Sequence, residues 1–90
     1  MATKFKIEKF NGSNFSLWKL KIRVVLRKNN CQDAIDGRPA DITNQKWKEM
    51  DYNAVANLHV AMAASVLSSI AEKKSAKEIW DALIKLYEVK

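Results

Sequence analysis

Residues 15–28 read Phe15-Ser16-Leu17-Trp18-Lys19-Leu20-Lys21-Ile22-Arg23-Val24-Val25-Leu26-Arg27-Lys28. At about 100° per residue, a helix over this stretch places Phe15, Trp18, Ile22, Val25 and Leu26 on one face. Lys19, Arg23 and Arg27 form a basic stripe at i, i+4 and i+8. Lys21 and Lys28 lie on the other flank. Between the flanks runs a second apolar strip of Leu17, Leu20 and Val24. A surface helix needs one apolar face, so two faces leave two readings. Either the helix is sandwiched inside the core, or the second strip meets a partner.

The flanking sequence fits a helical fold around that segment. Asn11-Gly12-Ser13-Asn14 is a turn, with Ser13 or Asn14 as N-cap. Asn29-Asn30 ends the helix, and residues 31–42 read as a loop with a turn at Asp36-Gly37-Arg38-Pro39. Ala34 and Ile35 are expected to pin that loop to the core. Thr43 or Asn44 caps a second helix, with Trp47, Met50, Ala54, Leu58 and Ala61 on one stripe. Val66, Leu67 and Ile70 fall off that stripe, which predicts a break near 62–65 and a short helix over about 65–71, capped by Ser65. Ser75-Ala76-Lys77-Glu78 matches a capping box. The helix it opens is expected to bury Ala76, Ile79, Trp80, Leu83, Ile84, Leu86 and Tyr87. It reaches Lys90 without a Gly or Asn stop signal, which predicts that the chain is the front part of a longer protein. Upstream, Lys4-Phe5-Lys6-Ile7-Glu8-Lys9-Phe10 alternates polar and apolar residues as an extended segment does. No second strand-like run offers it a partner.

The expected architecture is all-α: a small bundle of about four helices over 13–90 with an extended arm over 1–12, together one domain over 1–90. The core residues are expected to be Phe15, Trp18, Ile22, Trp47, Leu58, Trp80, Leu83 and Tyr87. Hydrophobic residues are 48% and charged residues 29% of the chain, an ordinary globular balance. Two Gly and one Pro are too few for a many-turned β-sandwich. One Cys excludes an internal disulfide framework, and one His excludes histidine metal pairs. No catalytic residue, metal site or cofactor is expected. Cys31 lacks an activating base, His59 stands alone off the core stripe, and Gly12 and Gly37 cannot form a phosphate-binding glycine loop. The chain is read as a non-enzyme. No apolar run approaches the roughly 20 residues that span a bilayer, so no membrane partner is expected. Residues 1–12 are too charged for a secretory signal peptide, which points to a reducing, cytoplasmic setting.

The formal charge is +6, and it is not evenly spread. Lys4, Lys6, Lys9, Lys19, Lys21, Arg23, Arg27 and Lys28 face Glu8 alone in the first third, while the remainder is close to neutral. Such asymmetry suits an anionic partner, a charge-complementary second copy, or a merely solvated face. Lys4, Lys6, Lys19, Arg23 and Arg27 are the candidate nucleic-acid contacts, through phosphates and without sequence readout.

Three segments carry a family resemblance. Phe10-Asn11-Gly12-Ser13-Asn14-Phe15-Ser16-Leu17-Trp18 resembles the opening motif of copia-type LTR retrotransposon Gag polypeptides. Trp47-Lys48-Glu49-Met50-Asp51, followed by an alanine-rich helix, resembles the next segment of that family. Ser75-Ala76-Lys77-Glu78-Ile79-Trp80-Asp81-Ala82-Leu83, ending in Leu86-Tyr87, looks like its third signature. The overall similarity is closest to plant elements. The resemblance implies a capsid-type domain, like the N-terminal lobe of a retroviral capsid, that assembles into virus-like particles around element RNA. The family's zinc knuckle is absent from these 90 residues.

The leading functional expectation is a structural domain of a copia-type retrotransposon that self-associates in particle assembly. The candidate oligomer interface is Leu17, Leu20, Val24, Phe5 and Ile7. A homo-oligomer is expected, a dimer or larger, with the arm over 1–10 as the piece that could exchange in a domain swap. One alternative is a domesticated Gag-derived adaptor that binds a host protein or peptide. Another is weak, non-specific RNA binding through the basic N-terminal region.

Overall fold

The computed structural model describes residues 9–88. Five helices follow in order: α1 (Phe15–Lys28), α2 (Asp33–Asp36), α3 (Asn44–Val60), α4 (Ala64–Ser69) and α5 (Ala76–Tyr87). The fold is all-α. Among the described residues the only extended pairing is a single parallel bridge between Phe10 and Met62.

Helix α1 spans the expected residues, and it buries Phe15, Trp18, Ile22 and Leu26. Its N-terminus is not side-chain capped. Asn14 is left-handed (φ 57°) and makes no capping bond. Ser13 instead donates its hydroxyl to Asn11 Oδ1 (2.8 Å), a local turn that competes with the cap. Gly12 has φ +106°, a region closed to most side chains, so the expected turn role of this glycine holds. At the other end Asn30 adopts φ 60°. Asn30 N–H then donates to Arg27 C=O (3.0 Å), and Cys31 N–H reaches back to Leu26 C=O (2.9 Å). This pair of bonds is a Schellman motif, in which the residue after the left-handed position packs on the last turn. Cys31 is that residue, and it is fully buried.

The 31–42 loop is not wholly irregular. It contains the single turn α2, whose Ala34 and Ile35 are buried as expected. Four residues are too few for a 3.6-residue period to show. Thr43 caps α3 by accepting Lys46 N–H (3.1 Å). The break after α3 falls at 61–63, slightly before its expected place. Ala63 occupies the N-cap position of α4, and Ser65 lies inside that helix. Ser75 caps α5 by accepting Glu78 N–H (3.1 Å). The Glu78 carboxylate reaches back to Lys74 N–H rather than to Ser75 N–H (3.0 Å). Asp51 of α3 adds a second acceptor to the start of α5, taking Ala76 N–H at 2.8 Å.

The break between α3 and α4 is where the chain's remote parts meet. Phe10 N–H donates to Ala61 C=O, and Ala63 N–H donates to Phe10 C=O, each at 2.8 Å. The Trp18 indole N–H donates to the same Ala61 carbonyl (3.1 Å). The expectation that the N-terminal segment lacks a partner is therefore corrected at Phe10. Its ring is 5.0 Å from Trp18, 5.0 Å edge-on from Tyr87 and 5.4 Å from Phe15. Residue 10 is seated in the core of its own chain, which counts against exchange of this part of the arm. Residues 1–8 lie outside the described residues.

Of the expected core, Phe15, Trp18, Ile22, Leu58, Trp80 and Leu83 are buried, and Tyr87 is half-buried against them. Trp18 and Trp80 lie 6.4 Å apart. Two residues depart from expectation. Trp47 is half-buried and outside the buried cluster, with the Arg38 guanidinium 5.9 Å from its ring centroid. It sits near the start of α3, beside Arg38 of the 37–42 loop. Leu86 is 57% exposed, although it lies two turns beyond the buried Ile79 on the same line of α5. On that line the core stops before the last turn.

Truncation should separate the three tryptophans. Trp18→Ala and Trp80→Ala are each expected to cost about 3–5 kcal/mol, and Trp47→Ala about 1 kcal/mol. Urea unfolding followed by circular dichroism checks the ranking. Equal losses at all three sites would contradict it.

Candidate functional site

The outer face of α1 is built by the same periodicity that builds its core face. With Phe15, Trp18, Ile22 and Leu26 turned inward, residues about half a turn away point to solvent. Leu17 is 52% exposed, Leu20 65% and Val24 50%. The structure thus removes the internal-sandwich reading of this strip. Phe5 and Ile7, the other two candidate interface residues, lie outside the described residues, as do Lys4 and Lys6.

The basic stripe on one flank is tied to its own chain. Lys19 Nζ pairs with Glu88 (3.0 Å) and lies 5.3 Å from the Phe15 ring centroid. One Arg23 terminal nitrogen donates to both Asp36 carboxylate oxygens (3.2 and 3.3 Å), and the guanidinium lies 5.9 Å from the Trp80 ring centroid. Arg27 Nε donates to Gln32 Oε1 (3.2 Å). These three candidate nucleic-acid contacts therefore link α1 to α2 and to the end of α5. Sequence alone could not show this, because Glu88 is 69 residues from Lys19 and Asp36 is 13 from Arg23. The pairs are partly exposed, and such pairs contribute roughly 0–1 kcal/mol each. On the opposite flank Lys21 joins Lys9, Asn11 and Ser13 around a shallow cleft beside Leu17.

A second exposed apolar line was missed by sequence reading. Tyr52 is 76% exposed and Val60 69%, and the exposed Ala56 lies between them. Their i, i+4, i+8 spacing on α3 was the available signal. It was masked by the stronger inward stripe of Met50, Ala54 and Leu58.

The chemistry-bearing residues are not gathered. Among the described residues, no group of three His, Cys, Asp or Glu side chains could hold a metal ion. His59 is half-buried, and its Nε2 is enclosed without a hydrogen-bond partner among the described residues. Burial pushes the Cys31 thiol above its ordinary pKa, which suppresses the reactive thiolate. No helix among the described residues is long and apolar enough to cross a membrane.

The sequence family is decided by direct comparison. The model for the gag-polypeptide of LTR copia-type matches residues 22–90. The chain belongs to the copia-type Gag family. The matched part of this Gag chain contains the Trp47 and Trp80 segments and begins after the Phe10–Trp18 opening. The chain is also 28% identical over 90 residues to the "Retrovirus-related Pol polyprotein from transposon TNT 1-94" of Nicotiana tabacum. That alignment takes in 96% of this chain and 7% of the polyprotein, so the chain spans a small part of its relative's length. No solved structure matches it. The motif residues of this Gag domain are architectural in the structure. Gly12 makes the turn before α1, Trp18 and Trp80 fill the core, and Ser75 caps α5.

The buried thiol gives a direct check of the α1 C-terminus. Cys31 in the native Gag domain should react with a disulfide reagent at least about tenfold more slowly than in urea, as its burial and low thiolate fraction require. Equal rates would mean that the Schellman turn opens readily.

Proposed function

We propose that this chain is a capsid-type assembly domain of a copia-type retrotransposon, whose copies associate in the cytoplasm to build virus-like particles. The observation that carries this reading is the outer face of α1. Three large aliphatic side chains, each at least half exposed, form one strip opposite the core face. Burying a Leu or Val side chain is worth about 1.5–3 kcal/mol, so a partner covering all three gains substantially. The contact is non-catalytic and needs no cofactor. Domesticated adaptor use would place a different protein on the same strip.

Molar mass by light scattering after size exclusion tests the reading. The mass is expected to grow with concentration. The triple variant Leu17→Ser, Leu20→Ser, Val24→Ser should remain monomeric with unchanged helical circular dichroism. A monomer at every concentration in the unaltered chain would overturn self-association and leave the adaptor reading. Loss of helicity in the variant would make the strip part of the fold.

RNA contact is a second reading, favoured by the absence of any acidic residue on α1 beside its five cations. The Lys19 and Arg23 pairs are exposed enough to exchange a carboxylate for a phosphate. Affinity for a single-stranded RNA should fall by about twentyfold between roughly 50 and 200 mM salt if about three phosphates are contacted. A flat salt response would exclude phosphate contacts.

A further inference from the structure

We infer that Asn11 is a self-modification site. The turn before α1 activates its side chain for cyclisation with the Gly12 nitrogen, which converts it to aspartate and isoaspartate without an enzyme. The inference goes beyond the assembly reading and does not depend on it.

The chemistry needs a free nucleophile beside a polarised carboxamide. The Gly12 amide gives its proton to water, and its nitrogen bonds to Asn11 Cγ. The bond from Cγ to the side-chain nitrogen breaks, and that nitrogen takes up the proton and leaves as ammonia. Water then opens the cyclic imide at either carbonyl. One opening gives aspartate. The other carries the main chain through the former side chain, as isoaspartate.

The nucleophile is available at this asparagine. Gly12 N–H has no acceptor among the described residues. Gly12 also has no Cβ to crowd the approach to Cγ. The other asparagines differ. Asn30 N–H, which follows Asn29, donates to Arg27 C=O, and Cys31 N–H, which follows Asn30, donates to Leu26 C=O. The nitrogens after Asn53 and Asn57 lie inside α3, in its hydrogen-bond ladder. Asn14 and Asn44 precede Phe15 and Gln45, whose side chains crowd the approach.

The carboxamide is polarised by two donors. Ser13 N–H (3.2 Å) and the Ser13 hydroxyl (2.8 Å) both donate to Asn11 Oδ1. Attack at Cγ pushes negative charge onto that oxygen, so both bonds strengthen as the ring closes. Lys9 and Lys21 line the same cleft as Asn11 and Ser13, and no acidic residue lines it. Their field favours the ionised Gly12 nitrogen. Asn11, Gly12 and Ser13 are all exposed, so water reaches them.

The turn lies between two fixed points. Phe10 is held by Ala61 and Ala63, and α1 by its buried face. Isoaspartate lengthens the main chain between them by one carbon. Tyr87 closes one side of Gly12, since a Cβ there would meet its ring at 3.6 Å. The modification therefore falls on the link between the Phe10 anchor and α1.

Peptide mapping by mass spectrometry, on the chain held near neutral pH, tests this. Exchange of ammonia for water raises the mass by about 1 Da. In native buffer Asn11 should convert before the other asparagines, and faster than it does in urea. Ser13→Ala should slow the native conversion about threefold to tenfold, the effect of one hydrogen bond, and leave the rate in urea unchanged. Slower conversion in the native chain than in urea means that the turn protects Asn11, and the inference falls. Equal native rates for the unaltered chain and Ser13→Ala also overturn it. Circular dichroism confirms that the variant is folded. Ser13→Thr keeps both donors and should keep the native rate. If it slows conversion as much as Ser13→Ala does, the effect comes from turn packing and the inference is wrong.

Discussion

The carbonyl of Ala61 accepts two hydrogen bonds, from the backbone of Phe10 and from the indole of Trp18. It stands where α3 stops, at a point where a helix leaves its last carbonyls without partners. Left unpaired in the interior, such a group costs about 1–3 kcal/mol. The partners come from two segments distant in sequence, so satisfying one helix end fixes the position of both. The Phe10 carbonyl then takes Ala63 N–H and holds the start of α4. With its backbone fixed on both sides, the Phe10 ring becomes the centre on which Phe15, Trp18 and Tyr87 pack. The N-terminal segment, α1, the α3–α4 break and α5 are joined there without a sheet.

That arrangement explains how one helix can serve two purposes. The inner side of α1 is committed to the core. Lys19 and Arg23 on its basic flank are paired with Glu88 and Asp36, which also hold α1 against α2 and the end of α5. The outer aliphatic strip is then displayed on a helix whose orientation is set by its own chain. A rigid display lowers the ordering cost of any contact made there. The Gag family assignment suits a domain that is structural rather than catalytic.

Much of this was legible in the sequence because the informative signals were local. The bounds of α1, the cap at Thr43, the cap at Ser75 and the phase jump after residue 61 all follow from residue types within one or two turns. The unexpected features depend on three-dimensional context. Helix α2 is shorter than one readable period. Trp47 carries the same apolar signal as Trp18, yet it ends half-buried beside Arg38 of the 37–42 loop. Phe10 looked partnerless because its partner is a helix break, not a strand. The basic stripe looked like a field for an external anion because its carboxylates lie far along the chain. On α3 the outward line was hidden by a stronger inward stripe, and an exposed Tyr52 reads in sequence like a buried one.

The Phe10 contacts also bear on the order in which this chain can acquire its structure. Residue 10 must wait for residues 61–63, and its ring is not enclosed until Tyr87 arrives. During synthesis, therefore, Phe15 and Trp18 emerge well before the residues 61–63 and Tyr87 that enclose them with Phe10. Contacts so far apart in sequence are slow to form, and the exposed apolar surface invites contact with neighbouring chains in the meantime. Closure around Phe10 withdraws the inner side of α1 and leaves its outer strip exposed.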